Sequence, residues 1–331
     1  MPAPAALAQE KVLNLYSARH YQTDEALYTN FTRKTGITIK RLEAGDEALL
    51  ERLRNEGRNS PADVILLVDA ARLWKAQIEG LFQPVKSAVL ESRIPQHLRA
   101  RDDGKGSEWF SFSTRARVIV RNKASVPAAE VASYEDLAKP ALKGKVCTRT
   151  GTHPYMLSLI GAMSEHLGEA KAEAWARGVV ANFARSPRGG DTDQIKAVAS
   201  GECGAALTNT YYLARLMRSD KAEDKAVADK VAAVMPNQSS WGTHVNVSGG
   251  AVARHAPHRD AAVKFLEYLA SDEAQIHLAD GNNEWPVVKT AATTNPALAS
   301  LGEFKADTLP ISAIGRSQVT AAKIIDRVGW R

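Results

Sequence analysis

Long apolar runs are missing from this 331-residue chain: the longest aliphatic stretch, Val64-Ile65-Leu66-Leu67-Val68, falls far short of the ~18 or more residues that a membrane span requires. Cysteine is almost absent. Cys147 and Cys203 form no C-x-x-C pair, which excludes cysteine-based zinc sites and dithiol redox chemistry of that type. Catalytic signatures are missing too. His97, His153, His166, His244, His255, His258 and His277 are scattered without H-E-x-x-H or H-x-x-E-H spacing, no G-x-S-x-G elbow occurs, and Gly104-Lys105-Gly106-Ser107 lacks the leading glycine of a phosphate loop. These histidines read as surface or capping residues, and the chain is not expected to be an enzyme. Nor is there a basic cluster: the net charge of +6 is spread among acidic residues, as over residues 215–230, and no basic stretch carries the aromatics that stack bases. Nucleic acid is therefore not an expected partner.

What is present is an ordinary globular composition, 44% apolar and 24% charged, with a length sufficient for about two compact domains at roughly 150 residues each. Ala6-Leu7-Ala8 has the small-x-small pattern that signal peptidase cuts after, so residues 1–10 read either as the remnant of an export signal, with a mature end near Gln9, or as an Ala/Pro tail. The two cysteines lie in short segments, 145–148 and 203–207, that read as strands. They read either as a bridge between neighbouring strands or as two buried thiols.

Apolar periodicity gives a strand at 11–16, a helix capped by Thr23-Asp24-Glu25 and ended by Gly36, a strand at 37–39, a helix at 46–54 and a buried strand at 64–68. Such β-α-β-α-β alternation predicts a mostly parallel sheet with ligands at the carboxyl ends of its strands. A strand at 117–120 follows, then a second α/β unit: strands at 145–148 and 205–207, and helices from Pro154, at 170–182 and at 193–200. A strand at 249–253 and a helix to Leu269 read as a return to the first lobe. Two such lobes would enclose a cleft, the natural place for a small ligand.

Four tyrosines fall at equivalent points, each after a strand and at the start of a helix: Tyr21, Tyr155 behind Pro154, and the pair Tyr211-Tyr212 behind Thr208-Asn209-Thr210. A helix N-terminus favours anions, so phenols placed there ionise more readily than their ordinary pKa of about 10 implies. Convergent phenolates are hard oxygen donors that suit Fe³⁺ better than Zn²⁺, Cu⁺, Ca²⁺ or Mg²⁺. Four of them with Fe³⁺ sum to −1, so a nearby cation helps. Arg19 and either Arg115 or Arg117 are candidates, and His20 offers a nitrogen donor. Adjacent tyrosines on a helix point ~100° apart and converge only on an ion ahead of the first turn. Half-buried tyrosines with satisfied hydroxyls are the alternative reading.

These residues sit in motifs that resemble the periplasmic ferric-ion-binding proteins, the substrate-binding components of bacterial and cyanobacterial iron ABC transporters, from Lys11 to Arg331. The motifs are Tyr16-Ser17-Ala18-Arg19-His20-Tyr21, Ser113-Thr114-Arg115-Ala116-Arg117-Val118-Ile119-Val120, Gly189-Gly190-Asp191-Thr192-Asp193-Gln194-Ile195-Lys196-Ala197-Val198 and Thr208-Asn209-Thr210-Tyr211-Tyr212. The resemblance implies an α/β, two-lobed periplasmic binding protein fold of class II type, its ligand cleft between lobes joined by two hinge strands. The expected division is residues 11–112 with 243–290 in the first lobe and 113–242 with 291–331 in the second. It implies Fe³⁺ as the bound ion, with Tyr21, Tyr155, Tyr211 and Tyr212 as ligands and His20 at a position that ligates in some members. Arg19, Arg115, Thr150 and Asn209 would stand around the ligands or hold an anion. In members lacking a tyrosine like Tyr155, the loop matching Thr150-Gly151-Thr152 holds a carbonate or phosphate that completes the iron shell; here Tyr155 is expected to supply that oxygen, so a synergistic anion such as carbonate is not called for. Where some members place a Glu after the third strand, this sequence has Val68. The resemblance further implies a Cys147–Cys203 disulfide, a monomer in the periplasm and delivery of iron to an inner-membrane ABC permease. The competing expectation is a binder of an organic anion, sugar or polyamine in the same cleft, stacked on the tyrosines and Trp241 and clamped by Arg115.

Overall fold

Strands and helices alternate from the start of the chain, because apolar runs of strand length are separated by helices whose ends are marked in the sequence. The structure, a computed structural model, describes residues 11–19 and 22–331. The tail at 1–10, His20 and Tyr21 therefore lie outside the described residues.

The strands are β1 (Val12–Ser17), β2 (Thr38–Glu43), β3 (Val64–Leu67), β4 (Phe110–Asn122), β5 (Val146–Cys147), β6 (Ala205–Asn209), β7 (Val231–Val234), β8 (Val245–Val252) and β9 (Trp285–Pro286). The helices are α1 (Asp24–Thr35), α2 (Asp46–Glu56), α3 (Ala70–Ile78), α4 (Ala88–Arg93), α5 (Pro154–Leu167), α6 (Glu169–Ala181), α7 (Asp191–Ser200), α8 (Thr210–Met217), α9 (Ala222–Lys230), α10 (Arg259–Leu269), α11 (Asp272–Asn282), α12 (Pro296–Ser300), α13 (Ile311–Arg316) and α14 (Gln318–Val328). Gly36 ends α1 in the left-handed conformation, φ 70°, as its position in the sequence requires. Thr23 precedes α1 but caps nothing. It has helical dihedrals, and its hydroxyl turns instead to the Asn282 side chain.

The strand order is β2-β1-β3-β8-β4-β6-β5, with β7 and β9 also paired to β4. The expected mostly parallel sheet is not what forms. β1 runs parallel to β2 and β3, and β5 to β6, but β8 and β4 enter antiparallel and every ladder that either makes is antiparallel. The reason is that β4 is far longer than the apolar stretch 117–120. Its first half carries Ser111, Ser113 and Arg115, which hide a strand from a reading based on apolar runs. Through residue 116 it pairs with β8, and from Arg117 with β6, so one strand joins two sheets.

The buried side chains divide accordingly. One core gathers β1, β3, α1, α3, α10 and part of α11. The second sheet has a core on each face: Ile119 and Leu207 point into one, while Val118, Val120 and Ala206 point into the other, as period-two alternation requires. Ile311 and Ile314 of α13, expected with the second lobe, pack into the first core. Gly315 permits this approach, since a Cβ there would lie 2.3 Å from the Trp74 Cβ. Cys147 and Cys203 are joined by a disulfide, with 5.9 Å between their Cα atoms.

Candidate metal centre

Ser113, Arg115 and Arg117 alternate along β4 and so share one face at the point where that strand changes partners. The two arginines, each 1% exposed, turn to opposite sides. Arg115 reaches the first lobe: Nη1 donates to Ser248 Oγ at 3.0 Å and Nη2 to the Val68 carbonyl. Arg117 reaches the second: Nη1 donates to Asp191 Oδ2 at 2.5 Å and to Asn209 Oδ1 at 3.1 Å. Asp191 also accepts the Asn209 backbone N–H at 2.7 Å, which ties the start of α7 to the start of α8.

Between these arginines lies the ring of Tyr155. The guanidinium carbons of Arg115, Arg117 and Arg149 stand 5.6, 5.9 and 5.3 Å from its centroid. Pro154 opens α5 at its first position, and His153 caps it by accepting the Tyr155 N–H at Nδ1, 3.2 Å away. Tyr211 and Tyr212 are the second and third residues of α8. Their rings are 4.2 Å apart, so the pair stays together within the first turn. The decisive distance joins the two helices: Tyr155 Oη and Tyr211 Oη are 3.1 Å apart.

All three tyrosines line a cavity of about 410 Å³ together with Arg115, Val68 and Glu284. Glu284 is buried, accepts Ser113 Oγ at 2.7 Å and Arg19 Nη1 at 3.3 Å, and lies 4.0 Å from Arg115. Arg19 is also held by Asp24, at 2.9 Å. Burial works against the charge of Arg115. The phenol of Tyr155, the Glu284 carboxylate, Tyr211 and Asp69 more than offset it and hold the guanidinium pKa above its ordinary value.

Of the two arginines, Arg115 lines the cavity, and Arg117, bound to Asp191, is not among the lining residues. Asn209 precedes α8 without capping it, because its Oδ1 serves Arg117. Thr150 is exposed and its carbonyl accepts the His153 N–H, away from the cavity lining. Val68 offers its carbonyl to Arg115 and has no ligating side-chain atom. The neighbouring Asp69 caps α3 and points to Asn246 and Ser158, so no carboxylate from this loop enters the cavity. Trp241 stacks on Tyr134 and His166 and takes no part in the cavity, which removes one support of the organic-ligand reading. Among the described residues no group of three His, Cys, Asp or Glu could hold a metal ion, so an ion here would be held chiefly by phenol oxygens.

The matches with known proteins point the same way. Residues 26–306 match the model of the bacterial extracellular solute-binding proteins. The chain belongs to that family. It is 47% identical to iron uptake protein A1 of Synechocystis, covering 98% of this chain and 88% of that protein. It is 27% identical to the major ferric iron-binding protein of Neisseria meningitidis, covering 95% and 89%. Among solved structures it resembles the Trichodesmium protein IdiA (FutA) in complex with iron and citrate, with a TM-score of 0.92, 50% identity and coverage of 97% and 100%. It also resembles the ferric binding protein of Campylobacter jejuni, with a TM-score of 0.89, 40% identity and coverage of 96% and 100%. The fold is the two-lobed α/β fold of periplasmic binding proteins.

Two residues of this cavity escape a reading of the sequence. Glu284 follows an Asn-Asn pair with no motif around it, and nothing but the fold brings it to Arg19 and Arg115. Arg215 lies 6.0 and 5.7 Å from the Tyr211 and Tyr212 rings. Its signal was the helical spacing from Tyr211, one turn on.

Proposed function

We propose that this chain is a carrier, not an enzyme, that takes up one Fe³⁺ in the cleft through tyrosine phenolates and delivers it to an ABC permease of the inner membrane. The observation that carries the reading is the 3.1 Å between Tyr155 Oη and Tyr211 Oη, from two helix N-termini facing one cavity beside a buried arginine. Neighbouring oxygens around an octahedral hard cation with bonds of about 2.0–2.1 Å are about 2.9 Å apart, so these two phenols need move little to take adjacent positions. Tyr212 supplies a third oxygen, and Tyr21, with His20 beside it, is the donor proposed from the first lobe. Three or four phenolates leave the centre neutral or singly negative, and Arg115 supplies the compensating charge. An oxygen-donor anion has room in the cavity, and the iron and citrate bound together by the Trichodesmium relative support that arrangement. The chain works as a monomer in the periplasm, its lobes dividing at residues 11–112 with 243–290 and 113–242 with 291–331, apart from α13, which packs with the first core, and closing over the ion.

The test is a visible absorption spectrum of the protein with and without ferric citrate, beside a Tyr211→Phe/Tyr212→Phe variant. A phenolate-to-iron charge-transfer band that the variant loses is the expected result. A wild-type protein that stays colourless overturns the ferric reading and leaves the organic-anion reading of the same cleft.

A further inference from the structure

Two polar contacts bridge the cores on either side of the cleft. On one side Ser158, one turn beyond Tyr155 on α5, donates its hydroxyl to the Asp69 carboxylate at 3.2 and 3.3 Å. Both residues are buried, and Asp69 is fixed further by Asn246 Nδ2 at 2.7 Å, on strand β8. This contact is enclosed and held against β8, the partner of β4 in the first sheet. On the other side Arg218, the residue after α8, donates from Nη1 to the Asp280 carbonyl at 2.5 Å and to Asn283 Oδ1 at 2.8 Å.

This second contact spans two bodies. Helix α11, which ends at Asn282, is anchored in the first core by Ala274 and Leu278, and α8 is anchored in the third by Leu213 and Leu216. The end of α11 exposes carbonyl oxygens and a partial negative charge, and the guanidinium sits there. Asn283 has φ 59°, uncommon for a non-glycine residue, and its Oδ1 also accepts Asn295 Nδ2 at 2.8 Å, so the acceptor is fixed in direction. Asn283 itself and its neighbours Asn282 and Glu284 line the same cavity as Tyr212.

We infer that Arg218 is a positioning residue: it latches the helix bearing Tyr211 and Tyr212 to the end of α11 and so sets the distance between the tyrosine pair and the opposite cleft wall. The inference rests on the ferric reading above. Arg218 is exposed and its acceptors are uncharged, so the latch can break and remake where the Asp69–Ser158 contact cannot. A charged donor on neutral acceptors is worth about a tenfold change in an equilibrium constant.

The experiment compares wild type with Arg218→Ala and Arg218→Lys in three measurements: the ferric charge-transfer band at saturation, the rate of iron loss to excess EDTA, and the radius of gyration by solution X-ray scattering with and without iron. The expected result for Arg218→Ala is an unchanged band, iron loss about tenfold faster and an iron-loaded radius shifted toward the iron-free value, with Arg218→Lys intermediate. Asn283→Gly, which keeps the positive φ and removes the acceptor, carries the test if Arg218→Ala fails to fold. It should speed iron loss in the same direction, and added to Arg218→Ala it should bring little further change. A normal band with iron loss within twofold of wild type in these variants overturns the latch alone. A wild-type protein without the band overturns the ferric reading and the latch with it.

Discussion

The hydroxyls of Tyr155 and Tyr211 meet at 3.1 Å although the residues are 56 positions apart and open different helices. As neutral phenols they share one hydrogen bond. As phenolates they repel, and only a cation between or beside them makes the arrangement favourable. On the ferric reading proposed above, iron takes the place of the phenol protons at this contact, and each tyrosine should matter to iron more than to folding.

Tyr155→Phe and Tyr211→Phe should each weaken ferric binding by more than the 10–100-fold typical of a group that only orients a ligand. Each change keeps the ring, so the stability of the iron-free protein should move by about 1 kcal/mol or less, the worth of one hydrogen bond. Competition with a chelator gives the first quantity and urea unfolding the second. A variant that binds iron within fivefold of wild type would remove that tyrosine from the set.

Arg117 makes the opposite prediction. Its pair with Asp191 is buried and lies behind the cavity, so Arg117→Met should destabilise the protein by about 3 kcal/mol, leaving Asp191 with Arg149 at 3.5 Å and one backbone N–H. The charge-transfer band should survive at saturation, since no ligand is lost. Equal stability in wild type and variant would show that the pair contributes nothing net.

In the first lobe β1, β3, α1, α2 and α10 were legible, because apolar runs and marked ends such as Gly36 set them out, whereas only the start of the polar strand β2 was read and α3, α4 and α11 were not. Strand β4 was legible only from Arg117 onward, since its first half is buried by the tertiary fold while carrying serine, threonine and arginine. Of the site, Tyr155, Tyr211 and Tyr212 were legible because helix starts announce themselves through Pro154 and Asn209. Glu284 was not, because a buried carboxylate is recognised by its partners, and Arg19 and Arg115 are 265 and 169 residues away in sequence.

The disulfide should contribute to stability without touching the iron. Cys147 and Cys203 close a loop of 56 residues, for which chain entropy gives about 4 kcal/mol. The Cys147→Ala/Cys203→Ala variant should unfold at correspondingly lower urea and still develop the band with ferric citrate. Loss of colour in a folded variant would mean that β5 and the start of α5 depend on the bridge.

His244 makes the fold sensitive to acid. It is fully buried beside Arg117, Arg115 and His166, and neither ring nitrogen has a hydrogen-bond partner among the described residues. Burial first, and then those neighbouring cations, pull its pKa down to about 3. In the unfolded chain the same ring takes a proton near pH 6.5. Between these values the unfolded state binds more protons than the folded one, so stability rises with pH there and is lost as the solution is acidified below about 6.5. At about 1.4 kcal/mol per pH unit this one residue should cost about 2 kcal/mol between pH 6.5 and pH 5. His244→Leu removes the titrating group and two unsatisfied nitrogens together. Its stability should fall less steeply over that interval, and at pH 5 it should exceed wild type. Parallel pH profiles for the two proteins would mean that the acid sensitivity resides in other groups.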